Sequence, residues 1–203
     1  MNNFKVHELW PTPIYENYIP VKSEWLDYAE NCKYERMFSQ NGDYTVDKYI
    51  LDNILDLKKQ LFFHVNLFAE KYLKIVNTEF YFLNSWIVKH HFNDWAQAHH
   101  HSNSLLSGVY YLKTEKNSGD INFIKDYKEQ NIFPLAITPN YDEYNYVNSK
   151  NFKFEPAVGN LIIFPSTLMH EVTKNNSKNT RYSLAFNVFC KGVFGKDEYE
   201  LKL

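Results

Sequence analysis

Phe80-Tyr81-Phe82-Leu83-Asn84-Ser85-Trp86-Ile87-Val88 is where the chain changes character. Upstream, apolar residues recur every three or four positions. From Glu79 onward they come in short runs rich in aromatic and branched side chains, the pattern of strands. Further runs follow at Leu105 to Leu112, Ile121 to Ile124, Tyr144 to Val147, Phe152 to Phe154, Leu161 to Phe164 and Tyr182 to Cys190. Many short strands without intervening helices predict a sandwich, a barrel or a double-stranded jelly roll.

Toward the N-terminus, Pro11, Pro13 and Pro20 exclude a helix from residues 4–19, where Ile14, Tyr15 and Tyr18 suit a strand. Two helices are predicted next. One covers 21–37, with Ser23 as N-cap for the run Trp25, Leu26, Ala29; the other covers 47–75. In the second, Ile50, Ile54, Leu57, Leu61, Val65, Phe68 and Tyr72 form a stripe that reads as a core face. The predicted class is α+β, mainly β, with the N-terminal helices packed on one outer face. With neither repeat nor linker, a single domain is expected over 1–203. It would comprise an N-terminal strand and two supporting helices (1–78), a β core (79–190) and a C-terminal tail (191–203) that docks on the chain itself or on a partner. Residues 125–158, with Pro134, Pro139, Pro156 and Tyr141-Asp142-Glu143-Tyr144, read as a loop holding a hairpin, either a lid at the mouth of the barrel or a surface insertion.

Composition narrows the function. Sixteen Tyr and sixteen Phe against six Gly and seven Pro, in 203 residues, are the opposite of a disordered chain and are ample for a core without disulfides. A net charge of -2 with no block of Lys or Arg argues against a nucleic-acid partner. Cys32 and Cys190 form no paired or metal-binding spacing, so free thiols in a reducing compartment are expected. Neither an apolar leader nor a run of ~18 apolar residues is present, so a cytoplasmic protein with no membrane contact is expected. An aromatic-rich chain of this size leaves a homodimer open.

The chemistry lies in the histidines. Five of eight are His90, His91, His99, His100 and His101, and His170 follows the apolar run Leu161-Ile162-Ile163-Phe164. In an extended segment His99 and His101 share a face while His100 points away, so the pair can meet His170 around one ion and leave further coordination positions free. His90 and His91 read as ordinary hydrogen-bonded histidines. The strand returning after His170 begins Arg181-Tyr182-Ser183, which sets a guanidinium and a hydroxyl on one face, a clamp suited to a carboxylate. Trp86, Phe92 and Trp95 precede the histidine pair and suit a dry cavity or a core.

The order His99-x-His101, Ser107-Gly108-Val109-Tyr110-Tyr111-Leu112, Gly119-Asp120-Ile121, Phe164-Pro165 to His170, then Arg181-x-Ser183 resembles the prolyl-hydroxylase-like branch of the 2-oxoglutarate- and iron(II)-dependent dioxygenases, across about residues 80–190. The resemblance implies a double-stranded β-helix in which His99, His101 and His170 bind iron(II). Arg181 would pair with the distal carboxylate of 2-oxoglutarate, supported by the hydroxyls of Ser183 and Tyr111. The implied reaction consumes 2-oxoglutarate and O2 and hydroxylates a C–H bond of a peptidyl or amino-acid substrate, with ascorbate as an optional reductant. One departure stands out: the broad superfamily has a carboxylate where this chain has His101, and Ser102 stands where the nearer relatives tend to have Pro. Asp94 and Asp120 are the nearby carboxylates, and Asp120 reads as structural. Two alternatives remain: a cupin-like three-His iron dioxygenase that needs no 2-oxoglutarate, and a non-catalytic jelly-roll binding protein.

Overall fold

The computed structural model describes residues 5–38, 40–125, 139–195 and 197–203. Its strands are β1 (Tyr15–Tyr18), β2 (Tyr34–Met37), β3 (Gly42–Thr45), β4 (Thr78–His90), β5 (Ala96–His99), β6 (Leu106–Lys113), β7 (Ile121–Ile124), β8 (Asn151–Phe154), β9 (Asn160–Pro165), β10 (His170–Val172), β11 (Arg181–Phe194) and β12 (Leu201–Lys202). The helices are α1 (Ser23–Asn31) and α2 (Leu55–Leu67). Among the described residues the strands form two antiparallel sheets that do not close: a major sheet in the order β1-β9-β6-β11-β4-β3-β2, with β12 on β11, and a minor sheet in the order β5-β10-β7-β8. This is the expected jelly roll.

Strand alternation divides the major sheet into two faces. Leu161, Ile163, Tyr110, Leu112, Leu184, Phe186 and Val188 face outward and join Trp25, Ala29, Leu57, Leu61 and Val65 of the helices in the larger core. Each such fully buried Leu, Val or Phe stabilises by roughly 1.5–3 kcal/mol. The packing is tight enough that Gly108 admits no side chain, since a Cβ there would lie 2.2 Å from Phe186 Cζ. The opposite face turns toward the minor sheet, and Tyr111, Ile162 and Phe164 pack there against Ile121 and Phe123. The functional residues lie between the sheets.

The N-terminal half departs from expectation in three places. The first helix ends at Asn31, because Asn31 Nδ2 bonds back to Asp27 O and Tyr34 Oη donates to Ala29 O, and the chain then forms the hairpin β2–β3. Lys22 stands at its cap position without a side-chain capping bond, so Ser23 is the first helical residue and not the cap. The second helix is broken into a 3-10 turn (Ile50–Asp52), α2 and a π-type turn (Phe68–Tyr72), and Tyr72 at its end is exposed rather than core. Farther on, Tyr144 to Val147 is a turn and not a strand. The side chain of Asn145 accepts from the amides of Val147 and Asn148, and Asn148 Oδ1 accepts from the amide of Asn145, giving the backbone an alternative to a ladder. Residues 126–138 of the predicted loop, Pro134 included, lie outside the described residues. The tail docks on its own strand, Val193 and Phe194 pairing with Lys202 and Leu201.

Candidate metal centre and carboxylate pocket

β5 and β10 place His99 directly opposite His170. His101 follows just past β5, where its amide donates to Ser166 O at 2.9 Å. The three rings converge, with centroids 4.4 Å apart for His99 and His170 and 5.2 Å for each pair that includes His101. One nitrogen from each lies within 4.8 Å of the others. His100 between them is exposed, as alternation predicts.

The donor chemistry fits a metal. His99 Nδ1 lies 2.7 Å from Gln97 O and His170 Nδ1 2.9 Å from Leu168 O. A carbonyl only accepts, so both Nδ1 atoms carry the proton and the lone pairs sit on Nε2, the arrangement typical of ligating histidines. Burial, reinforced by the neighbouring imidazoles, drives His101 down to about 4 and His170 down to about 3, so both are neutral donors near pH 7. No carboxylate joins the three among the described residues. Asp94 is taken by Arg36, at 2.6 and 2.7 Å, and by the amide of His91. Asp120 is not grouped with the three histidines, and its backbone pairs with Thr173. Trp86 packs beside His101, with centroids 5.9 Å apart, whereas Phe92 and Trp95 are exposed and line no dry cavity.

The second pole lies on the major sheet. Arg181 begins β11 opposite His90 of β4, and Ser183 on the same face sits opposite Tyr111 of β6. Arg181 is 1% exposed, yet no carboxylate pairs with it among the described residues. Its Nη1 donates to Ser118 O at 3.1 Å and Gly119 O at 2.6 Å, and its Nη2 donates to His90 Nδ1 at 2.5 Å. A guanidinium has five N–H donors. Nε–H, buried without a partner, and one Nη2–H are left over, two donors on neighbouring nitrogens that match a carboxylate. Burial lowers the Arg181 pKa from its ordinary value, and Tyr111, Tyr44 and Asp120 push it back up. Burial likewise pushes the hydroxyls of Tyr111 and Tyr44 up to about 12, so both are protonated and able to donate.

Sequence reasoning missed Tyr44, the carbonyls of Ser118 and Gly119, and His90, which it read as ordinary. For His90 the signal was present: it lies two and four residues beyond Val88 and Trp86, on the same strand face. It also missed a buried polar chain on that face. Ser107 Oγ meets Ser166 Oγ at 2.8 Å and donates to Asn187 Oδ1 at 2.7 Å, and Asn187 Nδ2 donates to Asn84 Oδ1 at 2.9 Å.

A jelly roll that encloses three convergent imidazoles at one pole and an unneutralised guanidinium at the other has the organisation of a metal-dependent oxygenase that takes an anionic co-substrate. The family described as "Putative 2OG-Fe(II) oxygenase" matches residues 84–187, just over half of the chain, and the chain belongs to that family. It is thereby an enzyme of the iron(II)- and 2-oxoglutarate-dependent dioxygenase class. No curated protein matches the sequence. Solved structures share the fold at low identity. A Burkholderia pseudomallei oxidoreductase of the 2OG-Fe(II) oxygenase family is 15% identical, with 82% of this chain and 76% of that one covered at a TM-score of 0.58. A Pseudomonas putida prolyl-4-hydroxylase is 14% identical, with 87% and 92% covered at 0.54. HygX from Streptomyces hygroscopicus, solved with nickel, 2-oxoglutarate and hygromycin B bound, is 11% identical, with 87% and 82% covered at 0.60. Among the described residues no helix is long and apolar enough to cross a membrane.

Proposed function

We propose that the protein is a hydroxylase in which His99, His101 and His170 hold iron(II), and Arg181, with Ser183 and Tyr111, holds the distal carboxylate of 2-oxoglutarate. The observation that carries this reading is the pairing of three neutral, convergent imidazoles with a buried guanidinium that has two donors to spare and no carboxylate partner among the described residues. Iron(II) with bound 2-oxoglutarate and O2 supplies the oxidant for a C–H bond, with succinate and carbon dioxide as co-products. The chain contributes orientation and exclusion of water. Three nitrogen donors leave coordination positions open, and Ile121, Phe123, Ile162 and Phe164 keep the space between the sheets apolar. Three neutral ligands also leave the metal one charge more positive than a triad with a carboxylate would, which favours an anionic co-substrate. A peptidyl or amino-acid substrate is the class favoured by the likeness to prolyl hydroxylases, as analogy alone.

The test is anaerobic titration of 2-oxoglutarate into the iron(II)-loaded protein, followed by admission of O2. A visible charge-transfer band that saturates, and succinate released afterwards even without a primary substrate, are the expected results. An iron-replete protein that yields neither excludes the reading and leaves the three-His dioxygenase that needs no 2-oxoglutarate.

A further inference from the structure

We infer that His90 is the positioning residue of the carboxylate pocket: it orients Arg181 through a neutral acceptor and so leaves the guanidinium charge for the co-substrate. The inference rests on the reading of Arg181 proposed above. His90 is 2% exposed and directly opposite Arg181 across the β4–β11 ladder. Its Nδ1 takes one Nη2–H of Arg181 at 2.5 Å. Accepting at Nδ1 puts the ring proton on Nε2, which is buried with only the backbone of Trp95 as a weak acceptor. The ring is gripped: a Cβ at Gly42 would lie 3.0 Å from His90 Nε2 and 3.1 Å from Cδ2, so that residue of β3 has no room for a side chain. The backbone is pinned as well, since Asn175 Nδ2 donates to His90 O at 2.8 Å.

The choice of residue follows from electrostatics. Ser118 O, Gly119 O and His90 Nδ1, the groups that hold Arg181, are all uncharged acceptors. An anionic acceptor at position 90 would hold the guanidinium equally well in geometry but would neutralise it, and the incoming carboxylate would then compete with a resident one. An imidazolium there would lose the acceptor and set a second cation against the first. A neutral imidazole avoids both.

Three variants separate orientation from mere packing. His90→Asn keeps a neutral acceptor near Nδ1, His90→Asp has nearly the same shape with a negative charge, and His90→Leu has no acceptor. The readout is the dissociation constant of 2-oxoglutarate from the iron(II) protein, taken anaerobically from the charge-transfer band, beside metal content and thermal midpoint. We expect His90→Asn to stay within about threefold of the parent, His90→Leu to weaken binding by about tenfold and His90→Asp by about a hundredfold. Metal content should be unchanged throughout, and His90→Asp should melt no lower than His90→Asn. Should His90→Leu fail to fold, the Asn and Asp pair alone decides. Equal affinity for 2-oxoglutarate in those two overturns the role of His90, while a parent protein that binds iron but not 2-oxoglutarate overturns the proposed function and this inference together.

Discussion

The two poles of the candidate site are built in opposite ways. The histidine pole is local: one ring comes from the end of β5, one from just past it and one from the three-residue strand β10, with His99 and His101 half-buried and His170 buried. Its cost is small, because neutral imidazoles desolvate cheaply and two of them bond to carbonyls two residues earlier in the chain. The arginine pole is global. It draws on β4, β11 and the turn after β6, and it buries a full positive charge against uncharged acceptors. Leaving a buried charge without a counter-ion costs several kcal/mol, and an arriving anion recovers part of that. Both poles are preformed, then, but one is held by neutral groups close by in the chain and the other by a buried charge held from several strands.

Breaking the two poles separately should produce the largest effects. His170→Ala removes one of three donors and is expected to lower metal affinity by more than the ~10–100-fold typical of losing an outer-shell partner, taking 2-oxoglutarate binding with it. Arg181→Leu should leave metal content intact and weaken 2-oxoglutarate by roughly 2–4 kcal/mol, about 30- to 1,000-fold. Arg181→Lys should not restore it, since a point-charge ammonium lacks the paired donors. Metal analysis beside anaerobic titration separates the cases. Loss of 2-oxoglutarate binding and metal together in Arg181→Leu would mean that the poles are not independent.

A subtler break lies at Gly119. Its φ is +91°, and a Cβ there would lie 2.3 Å from Thr173 O and 3.3 Å from Arg181 Nη1. The Gly119 carbonyl is also the 2.6 Å acceptor for that nitrogen. Gly119→Ala should therefore cost roughly 1–3 kcal/mol of stability through backbone strain and weaken 2-oxoglutarate while sparing the metal. Urea denaturation beside the same titration checks both halves. An alanine variant with unchanged 2-oxoglutarate affinity would show that the turn supports the sheet and not the guanidinium.

The same contrast explains what the sequence revealed. The histidine pole was legible because its geometry is periodic: alternation alone puts His99 and His101 on one side and His100 on the other, and an apolar strand announces His170. Arg181 and Ser183 were legible for the same reason, as was the helical stripe from Ile50 to Phe68. The hairpin β2–β3 was not, because Tyr34-Glu35-Arg36-Met37 has no apolar alternation. Arg36 of that hairpin meets Asp43 across the turn and Asp94 far along the chain, contacts that no local pattern encodes. Tyr44 and the Ser118 and Gly119 carbonyls escaped likewise, since their meaning depends on which strands become neighbours; for His90 alternation gave the face but not Arg181 as its partner.

The smallest expected effect concerns protons at the histidine pole. Burial lowers His101 to about 4 and His170 to about 3 from an ordinary 6.5, and also holds His90 well below its usual value. A depressed folded-state pKa means that the unfolded chain binds protons first. The contribution is therefore fully present above about 6.5 and is lost as pH falls toward the folded values. Between about pH 7 and pH 6 the loss should stay below about 1 kcal/mol for each buried histidine. Metal-free protein should accordingly show a urea midpoint that declines over this interval, above the range where carboxylates titrate. Bound iron(II) should flatten the decline, because a coordinated imidazole no longer takes up the proton. A slope that iron leaves unchanged would assign the effect to His90 or to His64, which burial also holds below its usual value, and a flat metal-free profile would mean that these rings are solvated enough to protonate in place.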